Sequence, residues 1–106
     1  MKIAIHQPQY LPWLPYFQKI KECDFFIFLD TVDFQKNGIQ NRNKIKTAQG
    51  EQWLTVPVKQ HLGQKIYDTA IDDSKNWKKK HWQTIKQCYS KAPLFSLYRY
   101  ELEEFY

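Results

Sequence analysis

The sequence predicts an α/β fold: a small, mostly parallel sheet that begins with a βαβ unit and is followed by C-terminal helices. Residues 2–5 are an apolar run of strand length. Residues 25–29 are apolar at every position, which is typical of a parallel strand covered on both faces. Between these runs, Phe17, Ile20 and Cys23 form one apolar helical stripe. Strand, helix and strand in this order indicate a βαβ unit.

Prolines and polar residues define the connections in the first half of the chain. Pro8 and Pro12 interrupt regular structure after the first strand, and Pro15 suits the first turn of the helix. Residues 31–47 are polar, and they predict a functional loop with some short structure around residues 41–45.

The second half of the chain predicts a further strand and two helices. Residues 53–58 read as a third strand, and Pro57 favours a sheet edge or a strand end there. Residues 66–71 predict a short extended piece. The longest helix is expected over residues 76–90, with a last amphipathic helix over 94–106. The core side of the long helix is predicted to hold Trp77, His81, Ile85 and Cys88, with Trp82 and Tyr89 beside them.

Composition limits the class of protein. A chain of 106 residues is long enough for one small domain, and we expect residues 1–106 to form a single α/β domain. Aromatic residues make up 17% of the chain, more than a small core needs, so some are expected to line a pocket or a surface that a partner covers. The net charge of +5 favours anionic partners without choosing among them.

The sequence also bears on the cellular compartment of the protein and on its chemistry. The chain has no signal peptide and no apolar run of membrane-spanning length, so we expect a cytoplasmic protein. Cys23 and Cys88 read as two reduced, buried thiols. No Cys/His spacing predicts a metal site, and no P-loop, nucleophile elbow or dinucleotide fingerprint indicates a particular cofactor.

The first candidate site follows the first strand, in the segment that runs from His6 through Gln7 and Tyr10. In open α/β sheets, ligands bind at the carboxyl ends of strands, and a helix start attracts anions. His6 is therefore predicted to act as an acid–base or phosphate-contacting group, with Gln7 and Tyr10 positioning substrate. The structural alternative is a proline-stiffened loop with a hydrogen-bonded core histidine.

The second candidate group follows the next strand. Asp30 should lie beside His6 in a parallel pair, where a carboxylate can orient the histidine, bind a sugar hydroxyl or hold Mg²⁺. A capping role in a turn explains Asp30 equally well, and it explains Asp33 better. Lys36 is predicted to contact an anionic group of the substrate.

The third candidate group lies in the amide-rich segment 37–44. Arg42 can grip a phosphate or carboxylate with two parallel hydrogen bonds, and Asn41 supplies a neutral donor and acceptor. Asn and Gly also form turns, so local structure is the alternative.

A lysine-rich helix segment, residues 77–82, interleaves basic and aromatic residues in a way that can indicate nucleic-acid binding. At helical spacing a solvated lysine face over a buried aromatic face explains it better, so nucleic acid is not the expected partner.

As a set, several segments resemble the WbqC-like protein family. They are residues 6–13, Tyr16-Phe17 with Ile20, Asp30 with Phe34 and Lys36, residues 41–43 with Ile45, residues 53–58, Trp77 with Ile85 and Tyr89, and residues 91–93 with Phe95.

The resemblance implies a bacterial or archaeal cytoplasmic protein encoded among genes for O-antigen and other surface polysaccharides. Members are usually about twice this length, so the chain is also expected to be the N-terminal half of a WbqC-like domain or a truncated form. Pro15 replaces the family's usual Gly, and its missing N–H weakens an anion cradle there. The opening of the chain is also distantly similar to that of the nucleotidyltransferase superfamily, a likeness at the level of fold.

Three functional hypotheses follow. The leading one is a transferase-like enzyme of surface-polysaccharide biosynthesis that acts on a nucleotide-linked sugar or a similar phosphorylated substrate. The second is a non-enzymatic module that binds nucleic acid or another polyanion. The third is an inactive fragment whose aromatic surface is normally covered by a C-terminal half or by an oligomer partner.

Overall fold

The computed structural model describes residues 1–61 and 63–106. A short 3₁₀ turn, Ile66–Asp68, precedes the last strand. In chain order the strands and helices are β1 (Ile3–His6), α1 (Leu14–Glu22), β2 (Phe25–Phe28), β3 (Arg42–Thr47), β4 (Gly50–Thr55), β5 (Val58–Lys59), β6 (Ala70–Ile71), α2 (Trp77–Tyr89) and α3 (Phe95–Phe105).

The predicted βαβ unit is present. Strands β1 and β2 pair in parallel, with Ile3 opposite Phe25 and His6 opposite Phe28. Helix α1 connects them and carries Pro15 in its first turn. Backbone N–H groups at this position make no intrahelical hydrogen bond, so the proline costs the helix none. Beyond the last pair, the Leu29 N–H donates to the His6 carbonyl at 2.8 Å, so the chains stay aligned past the strand ends.

The expectation of a mostly parallel sheet is met only by the first pair, because the later strands do not join it. Among the described residues, β3 pairs with β4, and β5 pairs antiparallel with β6, with Val58 opposite Ile71. A two-residue turn separates β3 from β4, and so short a connection joins only antiparallel strands. Pro57 lies in the gap between β4 and β5, where a strand would need an N–H that proline lacks.

The predicted stripe of α1 is off by one position. Tyr16 is the buried residue of this helix at 4% exposure, whereas Phe17 is 52% exposed and Ile20 is 36% exposed. The Tyr16 ring packs against Phe26 of β2 with centroids 5.5 Å apart. Its hydroxyl donates to the Gln7 carbonyl at 3.0 Å, so the one polar atom of this side chain is satisfied inside the fold.

The chain divides into two compact units. The first unit comprises residues 1–43 and 55–72, and the second comprises residues 44–54 and 73–106. The first unit contains the βαβ segment and the β5–β6 pair. The second contains most of the β3–β4 hairpin together with α2 and α3.

The two C-terminal helices match the expected ranges. Of the side chains predicted on the core side of α2, His81, Trp82 and Ile85 are buried, whereas Trp77, Cys88 and Tyr89 are only half-buried. Trp82 stacks on Phe95 at the start of α3, with centroids 6.2 Å apart and an interplanar angle of 21°. The Tyr89 hydroxyl accepts a hydrogen bond from the Lys46 N–H at 3.0 Å, which joins α2 to the hairpin. None of the described helices combines the length and apolar character needed to cross a membrane.

Candidate functional site

The predicted site residues of the first unit begin at the carboxyl end of the β1–β2 pair. His6 is the last residue of β1 and lies opposite Phe28 in the parallel register. Asp30 follows Phe28 by two positions, so His6 and Asp30 leave the sheet at the same end. This is the end at which ligands bind in open parallel sheets.

The His6 ring is half-buried and has a defined environment. Its Nδ1 lies 3.0 Å from the Gln7 carbonyl oxygen, and its ring meets Tyr16 edge-on at 4.7 Å between centroids. A carbonyl oxygen only accepts hydrogen bonds, so Nδ1 carries the hydrogen and Nε2 keeps the lone pair of the neutral ring. Nε2 is therefore the atom of His6 that can take up a proton.

Tyr16 fixes the same carbonyl from the other side. Its O–H donates to the Gln7 oxygen at 3.0 Å. Burial raises the pKa of the Tyr16 phenol above its ordinary value, so the hydroxyl remains protonated and a donor at neutral pH. Gln7 thus has its backbone orientation set by two neighbouring side chains.

Gln40 joins the loop after β1 to the segment before β3. Its Nε2 donates to the Gln7 Oε1 at 2.8 Å, and its Oε1 accepts from the Gln35 N–H at 2.9 Å. The Tyr10 N–H donates to the Gln40 carbonyl at 3.1 Å. Two segments that are more than 25 residues apart in sequence are therefore held together by one glutamine.

The asparagines of the amide-rich segment bind backbone carbonyls. Asn43 donates to the Leu11 carbonyl at 2.6 Å, and Leu11 has a φ of 47°. Asn41 donates to the Val56 carbonyl at 2.9 Å, while the Val56 N–H donates to the Asn41 carbonyl at 2.7 Å. The density of amides in this segment thus has a structural cause in addition to any ligand contact.

Arg42 also has contacts within its own loop. Its Nε donates to the Gly38 carbonyl at 3.3 Å, and a terminal nitrogen donates to the Asn37 carbonyl at 2.6 Å. Asn37 has a φ of 64°, a left-handed conformation that asparagine tolerates. Lys36 is exposed beside this turn. The guanidinium of Arg42 therefore stabilises the turn through these two hydrogen bonds. Anion binding by Arg42 and Lys36 stays a prediction.

A cavity of about 220 Å³ lies in the first unit where these loops meet. Two of the predicted substrate-binding residues, Tyr10 and Asn41, line it. His6, Gln7, Asp30, Lys36 and Arg42 are not among its lining residues. The lining residues are Pro8, Gln9, Tyr10, Phe34, Gln40, Asn41, Val56, Val58, Ile66, Thr69 and Ile71.

The comparison with known proteins identifies the family. Residues 7–106 match the model of the WbqC-like protein family. The chain belongs to this family. Rv1507c, an uncharacterized protein of Mycobacterium tuberculosis (strain ATCC 25618 / H37Rv), is 45% identical over 97 residues. That match covers 90% of this WbqC-like chain and 42% of the mycobacterial protein. No solved structure matches this chain significantly.

Sequence reasoning missed several walls of the cavity in this WbqC-like chain. Phe34 and Gln40 lie in the polar segment 31–47, which was predicted to be a functional loop. Neither of these two residues was among the predicted site residues. Val58 belongs to β5 and Ile66 to the 3₁₀ turn. Tertiary structure brings both elements near the loop after β1, and the pattern of apolar residues along the sequence does not predict this contact.

Two further observations bear on the chemistry of the site. The Asn41 Oδ1 is buried and has no hydrogen-bond partner, although Asn41 lines the cavity. Within residues 1–61 and 63–106, no three side chains of His, Cys, Asp or Glu are grouped so that they could share a metal ion. The predicted roles of Asp30, orienting His6, binding a sugar hydroxyl or holding Mg²⁺, stay predictions.

Proposed function

We propose that this WbqC-like chain forms part of a cytoplasmic transferase-like enzyme of bacterial surface-polysaccharide (O-antigen) biosynthesis. Its substrate would be a nucleotide-linked sugar or a similar phosphorylated compound. The observation that supports this best is the cavity at which the loop after β1 meets the amide-rich segment, with Tyr10 and Asn41 on its wall. Family membership supports the same direction.

The size of the cavity limits which part of a substrate enters it. Pockets that hold a whole drug-sized ligand have volumes of about 300–1,000 Å³. A cavity of about 220 Å³ suits a single ring, such as a nucleobase or one sugar ring. The phosphates would then remain outside the cavity, in the region where Lys36 and Arg42 are predicted to act.

Asn41 gives this proposal a specific polar contact. A buried acceptor without a partner costs about 1–3 kcal/mol, and Asn41 Oδ1 is such an atom. A ring N–H or a hydroxyl that reaches it after a small side-chain adjustment would offset that cost. The Asn41 amide nitrogen donates one of its two hydrogens to the Val56 carbonyl, whereas Oδ1 has no partner, so a ligand donor is the group that Asn41 would bind.

The proposed chemistry assigns roles at the edge of the site. His6 would exchange a proton at Nε2, the nitrogen that is not directed at the Gln7 carbonyl. Asp30 would orient that ring or a substrate hydroxyl when substrate is bound. Gln7 would help to position the substrate, with its side chain held by Gln40.

Binding is the first test of this proposal. We expect nucleotide sugars, screened with and without Mg²⁺, to raise the melting temperature of the chain more than inorganic phosphate does. Val58→Phe narrows the cavity, and we expect it to weaken binding at least tenfold in calorimetry. Equal affinity in this variant would contradict the assignment of the cavity.

A matched pair of lysines tests the phosphate contact. Lys36→Ala and Lys79→Ala each remove one exposed positive charge, but Lys79 lies on α2 in the second unit. We expect Lys36→Ala to weaken nucleotide-sugar binding about fivefold and Lys79→Ala to leave it unchanged. Equal loss in both variants would indicate a general effect of net charge.

The acid–base role of His6 requires an activity. In a full-length family member we expect His6→Gln, at the equivalent histidine, to abolish polysaccharide formation while nucleotide-sugar binding is retained. Normal turnover and an unchanged pH profile would remove His6 from the chemistry.

A polyanion-binding module is the second candidate, because Lys78, Lys79 and Lys80 form an exposed basic run on α2. Trp82 is only 7% exposed and stacks on Phe95, so it offers no free face to a nucleobase. We therefore expect no retardation of single-stranded DNA or RNA at low salt. Salt-dependent binding that Lys79→Ala weakens would favour this candidate instead.

A further inference from the structure

One face of the β1–β2 sheet is apolar and exposed. Side chains alternate across a strand, so Ile3 and Ile5 of β1 lie on the same face as their register partners Phe25 and Ile27 of β2. Their exposed fractions are 55%, 55%, 59% and 47%. These four residues are called the open face.

The opposite face of the same sheet is partly covered by α1, although Phe28 on that face is 55% exposed. Tyr16 of α1 packs there against Phe26 and against the His6 ring. The sequence led us to expect β2 to be covered on both faces, whereas within residues 1–61 and 63–106 only Phe26 of this strand is shielded, by Tyr16 of α1. The exposure of Phe25 and Ile27 is therefore a correction to that expectation.

A bare apolar face is unusual for this kind of sheet. Parallel sheets occur almost only where both faces are covered, because their crossover connections place helices on them. None of the four side chains of the open face is polar, and each is β-branched or aromatic. Among the described residues, β1 and β2 also pair with no third strand, so the sheet is incomplete at its edges as well as on its face.

The length of the mycobacterial relative indicates what covers this face. More than half of Rv1507c lies outside the 97 residues that match this chain, although the matched part is 45% identical. We propose that the open face docks an amphipathic helix belonging to a segment homologous to that unmatched part, supplied in the same or in a separate polypeptide. The helix presents its apolar side to the open face, as the second layer of helices does in α/β sheets.

Co-expression tests this docking independently of any catalytic activity. The tagged 106-residue chain is produced together with the part of Rv1507c outside the match, and the complex is measured by size-exclusion chromatography with light scattering. We expect a 1:1 complex. Ile27→Lys should weaken it at least tenfold, because a charged side chain is placed on the buried apolar surface.

A matched control is available on the second unit. Leu97 on α3 is 66% exposed, so Leu97→Lys introduces the same charge at a comparably exposed apolar position outside the open face. We expect Leu97→Lys to leave the complex intact. Equal loss with both variants, or no complex with the unchanged chain, overturns the proposal.

A second measurement covers the case in which Ile27→Lys does not fold. Ile27→Cys keeps a small apolar side chain, and in a Cys23→Ser background its reaction with a maleimide is followed on the peptide that contains residue 27. We expect the labelling rate to fall at least tenfold in the complex. An unchanged labelling rate in the complex overturns the proposal. A homodimer of the chain alone in which position 27 is protected also overturns it, because a second copy of the chain would then cover the open face.

Discussion

Tyr16 is the residue from which the packing of the first unit can be tested most directly. It is 4% exposed, its ring contacts Phe26 and His6, and its hydroxyl donates to the Gln7 carbonyl at 3.0 Å. Tyr16→Ala removes the ring and leaves a cavity, which costs about 3–5 kcal/mol for large aromatic residues. Tyr16→Phe keeps the ring and removes one hydrogen bond, which costs about 1 kcal/mol.

Urea denaturation followed by circular dichroism measures both variants. With a slope of about 2 kcal/mol per molar urea, Tyr16→Phe should lower the midpoint by about 0.5 M. Tyr16→Ala should lower it by at least three times as much, or prevent folding. Equal destabilisation by the two variants would refute the view that ring packing dominates, and no effect of Tyr16→Ala would refute the packing itself.

The raised pKa of Tyr16 adds a pH dependence with a defined sign. Below about pH 9, the phenol is protonated in both states and its contribution to stability is fully present. Above pH 10 the unfolded state loses the proton first, because burial raises the pKa of the folded phenol, so stability falls with pH. Lys65 also contributes to the pH dependence, because its hydrogen bond to Asp33 raises the pKa of its ammonium group above the ordinary value. Subtracting the Tyr16→Phe curve from the wild-type curve cancels Lys65, and the difference should shrink above pH 10.

Three further substitutions have expected outcomes. Gln40→Ala removes the hydrogen bond to Gln7, and we expect a loss of about 1–3 kcal/mol in urea denaturation together with weaker ligand binding. Asn41→Asp replaces the amide donor to the Val56 carbonyl by an acceptor, so calorimetry should show a lower melting temperature at pH 7 that partly recovers at pH 4. Ile85→Ala should cost about 2–5 kcal/mol, because Ile85 is 7% exposed, and should leave ligand binding by the first unit unchanged. Stability equal to wild type in any of the three would contradict the contact concerned.

The parts of the fold that the sequence predicted are those with a strong local signal. The βαβ unit follows from two apolar runs and a proline-started helix, and α2 follows from a long periodic stripe that includes His81 and Ile85. The error on α1 arose because Tyr16 was passed over in favour of Phe17. A tyrosine becomes a core residue when its hydroxyl finds a partner, and the Gln7 carbonyl that provides one is brought near by tertiary structure.

The pairing of the later strands could not be predicted in the same way. The run 53–58 looks like one strand, but it contains the end of β4, the Val56-Pro57 break and the start of β5. The partner of β5 is β6, a two-residue strand that lacks a periodic signal of its own. The prediction that residues around 41–45 hold short structure was confirmed, since β3 spans Arg42–Thr47.

The candidate site shows why amide-rich loops are hard to interpret from sequence. Asn43 and Gln40 were part of a segment expected to bind ligand, and the structure gives both of them contacts that fix the fold. Those contacts hold the loop after β1 against the segment before β3, and the cavity lies where the two meet. A structural role and a binding role are therefore not alternatives for this segment.

Because the cavity lies where these contacts are made, substitutions of Gln40 can test whether this residue shapes the cavity before ligand binds or contacts the ligand itself. Suppose that the hydrogen bonds of Gln40 hold the cavity in its binding-competent form before ligand arrives. Gln40→Ala then lowers the fraction of molecules that can bind, and the apparent affinity falls in proportion to that fraction. Saturating ligand restores the melting temperature to the wild-type value in this case. If Gln40 instead contacts the ligand, affinity falls but ligand no longer restores stability to the wild-type value. Gln40→Glu separates the two cases further, because its carboxylate still accepts from the Gln35 N–H but cannot donate to the Gln7 Oε1. Weak binding in Gln40→Glu would place the essential function of this residue in the link to Gln7.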